Sequence, residues 1–162
     1  MITADSPEAY GYTIFCDDIR AEVGGKLTYV GSYSGTMLVH GSFPTIVPKL
    51  ALGIVYLQRR DRLILPITFW IFLPGDAEDK PSIIAEMPHE AAIDFGKVFA
   101  QKVETEETFV TLYSQFALTP LHIAQPGILK VRAVRGDQLI RLGGLVIMPA
   151  PVEESPLAPP QP

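Results

Sequence analysis

Apolar and polar residues alternate along much of this chain with a period of two, as expected of strands that turn one face inward. The clearest case is GILKVRAVRGDQLIRLGGLVIMP, Gly127 to Pro149, where Leu129, Val131 and Ala133 alternate with Lys130, Arg132 and Val134. Gly136 and Asp137 supply a two-residue turn, so the segment predicts a hairpin. Beyond the turn Ile140, Leu142, Val146 and Met148 fall on one parity. Gly143 and Gly144 interrupt that side as a bulge or a close backbone approach would.

The same reading predicts strands over Tyr10–Cys16, Leu27–Tyr33, Thr36–His40, Leu50–Leu57, Leu63–Leu73, Ser82–Glu86 and Thr108–Leu118. Within Leu63–Leu73, the aromatic residues Phe69, Trp70 and Phe72 sit on a run apolar on both parities, as in a central strand or an interface. The 13 glycines and 15 prolines punctuate these runs at a spacing that long helices would not tolerate. The fold class that follows is mainly β, an antiparallel β-sandwich of immunoglobulin-like or related type with about seven to nine strands. One short helix is expected near 88–100, with Pro88 at its first position, Glu90 in its first turn, and Ala92, Phe95 and Phe99 along one face.

Residues 1–9 read as a flexible N-terminus and 10–148 as a single domain. Residues 149–162, PAPVEESPLAPPQP, have almost nothing to bury and read as a disordered proline-rich tail. A 162-residue chain, 48% hydrophobic and 19% charged, has material for a real core without a metal or a disulfide. The net charge of -5 provides no basic field for phosphates, which argues against nucleic acid as a partner. The longest apolar run, Leu63 to Pro74, is roughly half of what a spanning helix needs, so no membrane partner is expected. A lone cysteine, Cys16, and acidic residues at Asp5 and Glu8 in place of a secretory signal lead to an expected cytoplasmic location.

The densest chemistry lies in TIFCDDIRAEVGGKLTYVGSYSG, residues 13–35. A phosphate loop would need a glycine where Arg20 stands and a hydroxyl residue where Leu27 stands. Asp17 and Asp18 favour a neutral thiol at Cys16 over a nucleophilic one, and GSYSG misses the nucleophile-elbow spacing by one residue. Gly24 and Gly25 read instead as a hairpin turn. Asp17, Asp18 and Glu22 are the candidate metal ligands, for calcium. The competing reading pairs them with Arg20 and Lys26 across the hairpin, each exposed pair contributing less than about 1 kcal/mol. His40, His89 and His122 lack zinc spacing, and the RGD tripeptide at Arg135 to Asp137 reads as turn chemistry. An enzyme here would have to draw on His89, Glu90, Asp94 and His122, converging from distant loops. With no catalytic set and no cofactor motif to assign, the expected function is a non-enzymatic protein-binding or assembly module, with homo-oligomerisation through an apolar strand as one route.

The residues Cys16, Asp17, Arg20, Glu22, Gly25, Lys26, Thr28, Val30 and Gly31 follow a pattern, Cys-Asp-x-x-Arg-x-Glu and then Gly-Lys, after an apolar strand. In this the chain resembles a family of small bacterial proteins of unknown function, and the likeness extends to QPGILKVRAVRGDQLIRLGGLVI at the other end. Ile128 stands where similar proteins often carry an aromatic residue. The resemblance implies an immunoglobulin-like or related sandwich and no catalytic residue.

Overall fold

The computed structural model describes residues 8–59, 66–86 and 109–151. Among them every regular element is a strand. A three-stranded antiparallel sheet places β6 (Leu50–Arg59) between β1 (Ala9–Cys16) and β9 (Phe109–Leu118). A five-stranded sheet runs in the order β4 (Thr36–Val39), β12 (Gln138–Pro149), β11 (Gly127–Arg135), β7 (Ile67–Phe72) and β8 (Ile83–Glu86). Two ribbons complete the strands, β2 (Asp18–Ala21) with β3 (Leu27–Val30), and β5 (Thr45–Val47) with β10 (Leu121–Ile123).

The number of strands corrects the expectation of seven to nine, since twelve are formed among the described residues. The additional ones, β2, β5 and β10, are three or four residues long. Runs that short carry no readable period, and β5 and β10 exist only because the fold brings Leu121 opposite Val47. One pairing also departs from the antiparallel rule, because β4 runs parallel to β12. The predicted helix near 88–100 lies outside the described residues, as do Leu63 to Leu65 of the predicted Leu63–Leu73 strand.

The period-two pattern holds in β11 but only half-way along β12, where the bulge at Leu142–Gly143 shifts the parity. Ile140 and Leu142 face inward as expected, whereas Val146 and Met148 are exposed and Leu145 and Ile147 take the core face in their place. In β11 the side chains of Leu129, Val131 and Ala133 are fully buried, while Lys130, Arg132 and Val134 take the opposite face. In β6 the core face carries Leu50, Leu52, Ile54 and Tyr56, which join Phe69, Ile71, Leu129 and Val131 of the larger sheet in one cluster of buried side chains. The aromatic run falls in β7, between β11 and β8, with Phe69 in the core. The Gly136–Asp137 turn joins Arg135 to Gln138, and β12 continues through Pro149, after which Ala150 donates its N–H to the Val39 carbonyl. Arg135 is buried, so its guanidinium is turned to Glu8 and Gln138 and is not presented as an adhesion ligand.

The second face of the three-stranded sheet is partly covered by the β2–β3 ribbon. Tyr29 lies across Gly53, where an added Cβ would come within 2.7 Å of the tyrosine ring. The Tyr29 hydroxyl donates to the Tyr113 hydroxyl at 2.9 Å.

Candidate functional site

The acidic stretch resolves into a corner. Asp17 separates β1 from β2, donates its N–H to the Val30 carbonyl at 3.0 Å, and accepts the Tyr33 hydroxyl proton on Oδ1 at 2.7 Å. Asp18 is held by Lys49 and by Arg20, whose ion pairs keep its carboxyl below the ordinary aspartate range. Lys49 takes the role the sequence reading had given to Lys26, which instead faces Glu22 through the main chain across the turn at 2.8 Å. Among the described residues no group of three or more His, Cys, Asp or Glu side chains is placed to hold a metal ion. Cys16 is buried and directs its thiol to the carbonyls of Asp18 and Ala51, and burial pushes that thiol up. The nine residues that carry the family resemblance therefore lie on or beside a hairpin and its corner.

Of the remaining sequence candidates only His122 lies among the described residues. His122 is exposed on β10 beside a groove of about 350 Å³ that also involves Pro44, Ile46 and Ala124. His89, Glu90 and Asp94 lie outside the described residues. No helix among the described residues is long and apolar enough to cross a membrane.

The most developed surface is the outer face of the five-stranded sheet, where the strand registers set side chains in rows. One row crosses the sheet as Arg141, Arg132, Trp70 and Ile84. The adjacent rows are Gly144, Lys130 and Phe72 on one side, and Leu139, Val134, Thr68 and Glu86 on the other. Farther out stand Ile128 and Val146, then Met148 beside Leu38. Six large apolar side chains of this face (Leu38, Ile84, Ile128, Leu139, Val146 and Met148) are 39% to 58% exposed. Single exposed apolar residues are ordinary, but a contiguous set on one sheet face marks an interaction surface.

At its centre is a groove of about 280 Å³ lined by Ile128, Lys130, Arg132, Arg141, Gly143 and Gly144. A β-bulge builds it: Leu142 and Gly143 stand opposite the single residue Val131, between the pairs Lys130–Gly144 and Arg132–Arg141. Arg132 donates from Nη1 to the Val131 carbonyl at 2.9 Å and to the Gly143 carbonyl at 3.4 Å, which ties the guanidinium to the bulge. Lys130 is ion-paired with Glu78, carried there by the loop after β7. Asp76 shapes that loop by accepting from the N–H of Leu73 at 2.8 Å and from both the N–H and hydroxyl of Ser82 at 2.9 Å. Burial acts to raise the Asp76 carboxyl, and these hydrogen bonds outweigh it, leaving the group below its ordinary value. Desolvation, followed by the charge of Arg141, lowers the Arg132 guanidinium from its usual value.

Sequence reasoning saw Lys130 and Arg132 only as the solvent side of a hairpin, and Gly143 with Gly144 only as an irregularity. The signal that would have found the groove is the turn itself. Once Gly136–Asp137 is the turn, counting outward sets Arg132 opposite Arg141. In comparisons with protein-family models, with characterised proteins and with solved structures, nothing matches this chain.

Proposed function

We propose that this chain is a non-enzymatic protein-binding domain that docks a partner on the outer face of its five-stranded sheet. The two larger sheets are, in this reading, the layers of an immunoglobulin-like or related β-sandwich, a framework that holds that face rigid. The observation that carries the reading is the set of half-exposed apolar side chains around a cationic groove on a single sheet face. The pattern of an apolar surface with charged groups set at fixed positions suits recognition, where burial supplies affinity and charge supplies register.

A photo-crosslinking amino acid at position 146, in extracts of the cells that produce the chain, tests this. The expected result is one predominant adduct, whose purified partner then binds wild type and loses binding to Ile128→Glu at unchanged melting temperature. Absence of any adduct, or a purified adduct partner that binds Ile128→Glu as it binds wild type, would overturn the reading.

A further inference from the structure

We infer that the groove takes carboxylate side chains from an extended acidic segment of the partner protein, flanked by apolar residues that seat on the rims; the inference rests on the docking reading above. Arg132 and Arg141 are directly opposed across an antiparallel pair. Like charges in that position destabilise a sheet, and against this the fold sets only the Arg132 hydrogen bonds to the Val131 and Gly143 carbonyls and the more distant charge of Glu78. A local rule broken with no direct carboxylate partner for either arginine is the expected signature of a functional site.

The local chemistry selects the ligand. Glu78 pairs directly with Lys130 and reaches Arg132 and Arg141 only through its charge, and among the described residues no carboxylate forms a direct ion pair with either arginine. Two planar guanidinium groups fit carboxylates, which they can grip with paired hydrogen bonds. The floor is open because Gly144 has no side chain; a Cβ there would come within 3.0 Å of Ile128 and 3.1 Å of the Leu129 carbonyl. Ile128 and Val146 form one rim, and Trp70 and Ile84 continue the arginine row on the other side. An incoming segment with acids in its middle and apolar residues at its ends therefore meets matching chemistry along its length.

Charge also discriminates between occupants. A second copy docking face to face about a two-fold axis through the groove would bring the arginine pair against its own duplicate. The chain as a whole carries a net charge of -5, so this patch is a local inversion of sign that would orient an acidic partner.

The test uses fluorescein-labelled peptides of the sequence Leu-Phe-Asp-Glu-Leu-Val and the same peptide with Asn and Gln in place of the acids, titrated with the full chain. The acidic peptide is expected to bind, to weaken about tenfold or more on amide replacement and on Arg132→Gln with Arg141→Gln, and to weaken with added salt. Equal binding of acidic and amide peptides, with loss on Ile128→Glu, would overturn the carboxylate claim while leaving the docking face standing. Failure of every peptide to bind, or displacement of the acidic peptide by millimolar inorganic phosphate, would also overturn it. A doubled mass in light scattering that Ile128→Glu abolishes would show a second copy as the occupant and overturn it as well.

Discussion

Asp17 and Gly31 show how a single contact can account for a motif. Gly31 has φ of +64°, and a Cβ built there would lie 2.0 Å from Asp17 Oδ2, so the glycine is required twice over. Gly31→Ala is expected to lower stability by about 1–2 kcal/mol from the left-handed backbone alone, with the clash in addition. Urea denaturation checks this, and Asp17→Ala in the same background should recover the part due to the clash. Tyr33 closes the corner, and its burial, then its hydrogen bond to Asp17, pushes its hydroxyl up to about 12 from 10.0. Because the folded state holds the proton more tightly than the unfolded state, this contribution is fully present below pH 10 and is lost as pH rises toward 12. Tyr33→Phe should therefore show a smaller fall in urea midpoint between pH 10 and pH 12 than wild type. The sequence reading places Gly31 inside the predicted Leu27–Tyr33 strand, which in the structure ends at Val30, and Asp17 among candidate calcium ligands or paired charges, so neither was legible as part of this corner. Nor was their contact, since it depends on how β1 turns into β2.

At the scale of the element, the β11–β12 hairpin was the most readable part of the chain and also holds what was missed. The inward parity of β11, the turn and the glycine irregularity follow from local pattern, and the structure has each of them. The irregularity is, however, a bulge that reverses the parity beyond it, so Val146 and Met148, expected on the face of Ile140 and Leu142, point outward. The groove requires in addition that opposite strands be in register, and the opposed arginines are the result. Arg141→Glu should convert this repulsive pair into an attractive one and raise stability by about 0.2–1 kcal/mol, measured by chemical denaturation. The same variant should bind the acidic peptide more weakly. A change that stabilises the hairpin but impairs its binding is what a functional compromise looks like. Short strands such as β5 and β10 were not legible because three residues have no period, and their hydrogen-bonding partners lie far apart in sequence.

Over the whole molecule, small residues decide where layers meet. Gly53 lets the ribbon's Tyr29 lie on the β1–β6–β9 sheet and reach Tyr113, which was not foreseeable from a glycine in an apolar run. Gly53→Val is expected to lift the ribbon at a cost of about 1–3 kcal/mol from overpacking. In hydrogen exchange, Asp18 to Val30 should then exchange faster while β11 and β12 keep their protection. The acceleration would be absent if the ribbon were held only by its connections to β1 and β4. The core shared by the two larger sheets supplies the opposite case. Leu52 is fully buried in it, and Leu52→Ala should lower stability by about 2–5 kcal/mol, read from the urea midpoint.

The sequence by itself determined that the described chain would be mainly strands, which side of β11 and of the first part of β12 would be buried, and where the two hairpins would turn. Those properties depend on neighbours one or two residues away, and a period of two records them directly. The order of the strands, the parallel pairing of β4 with β12, the Asp18–Lys49 pair and the cationic groove were decided only by tertiary structure. Each of these needs residues from separate segments to meet at a fixed register, and charge or apolarity in a linear pattern does not specify which segment will be the partner.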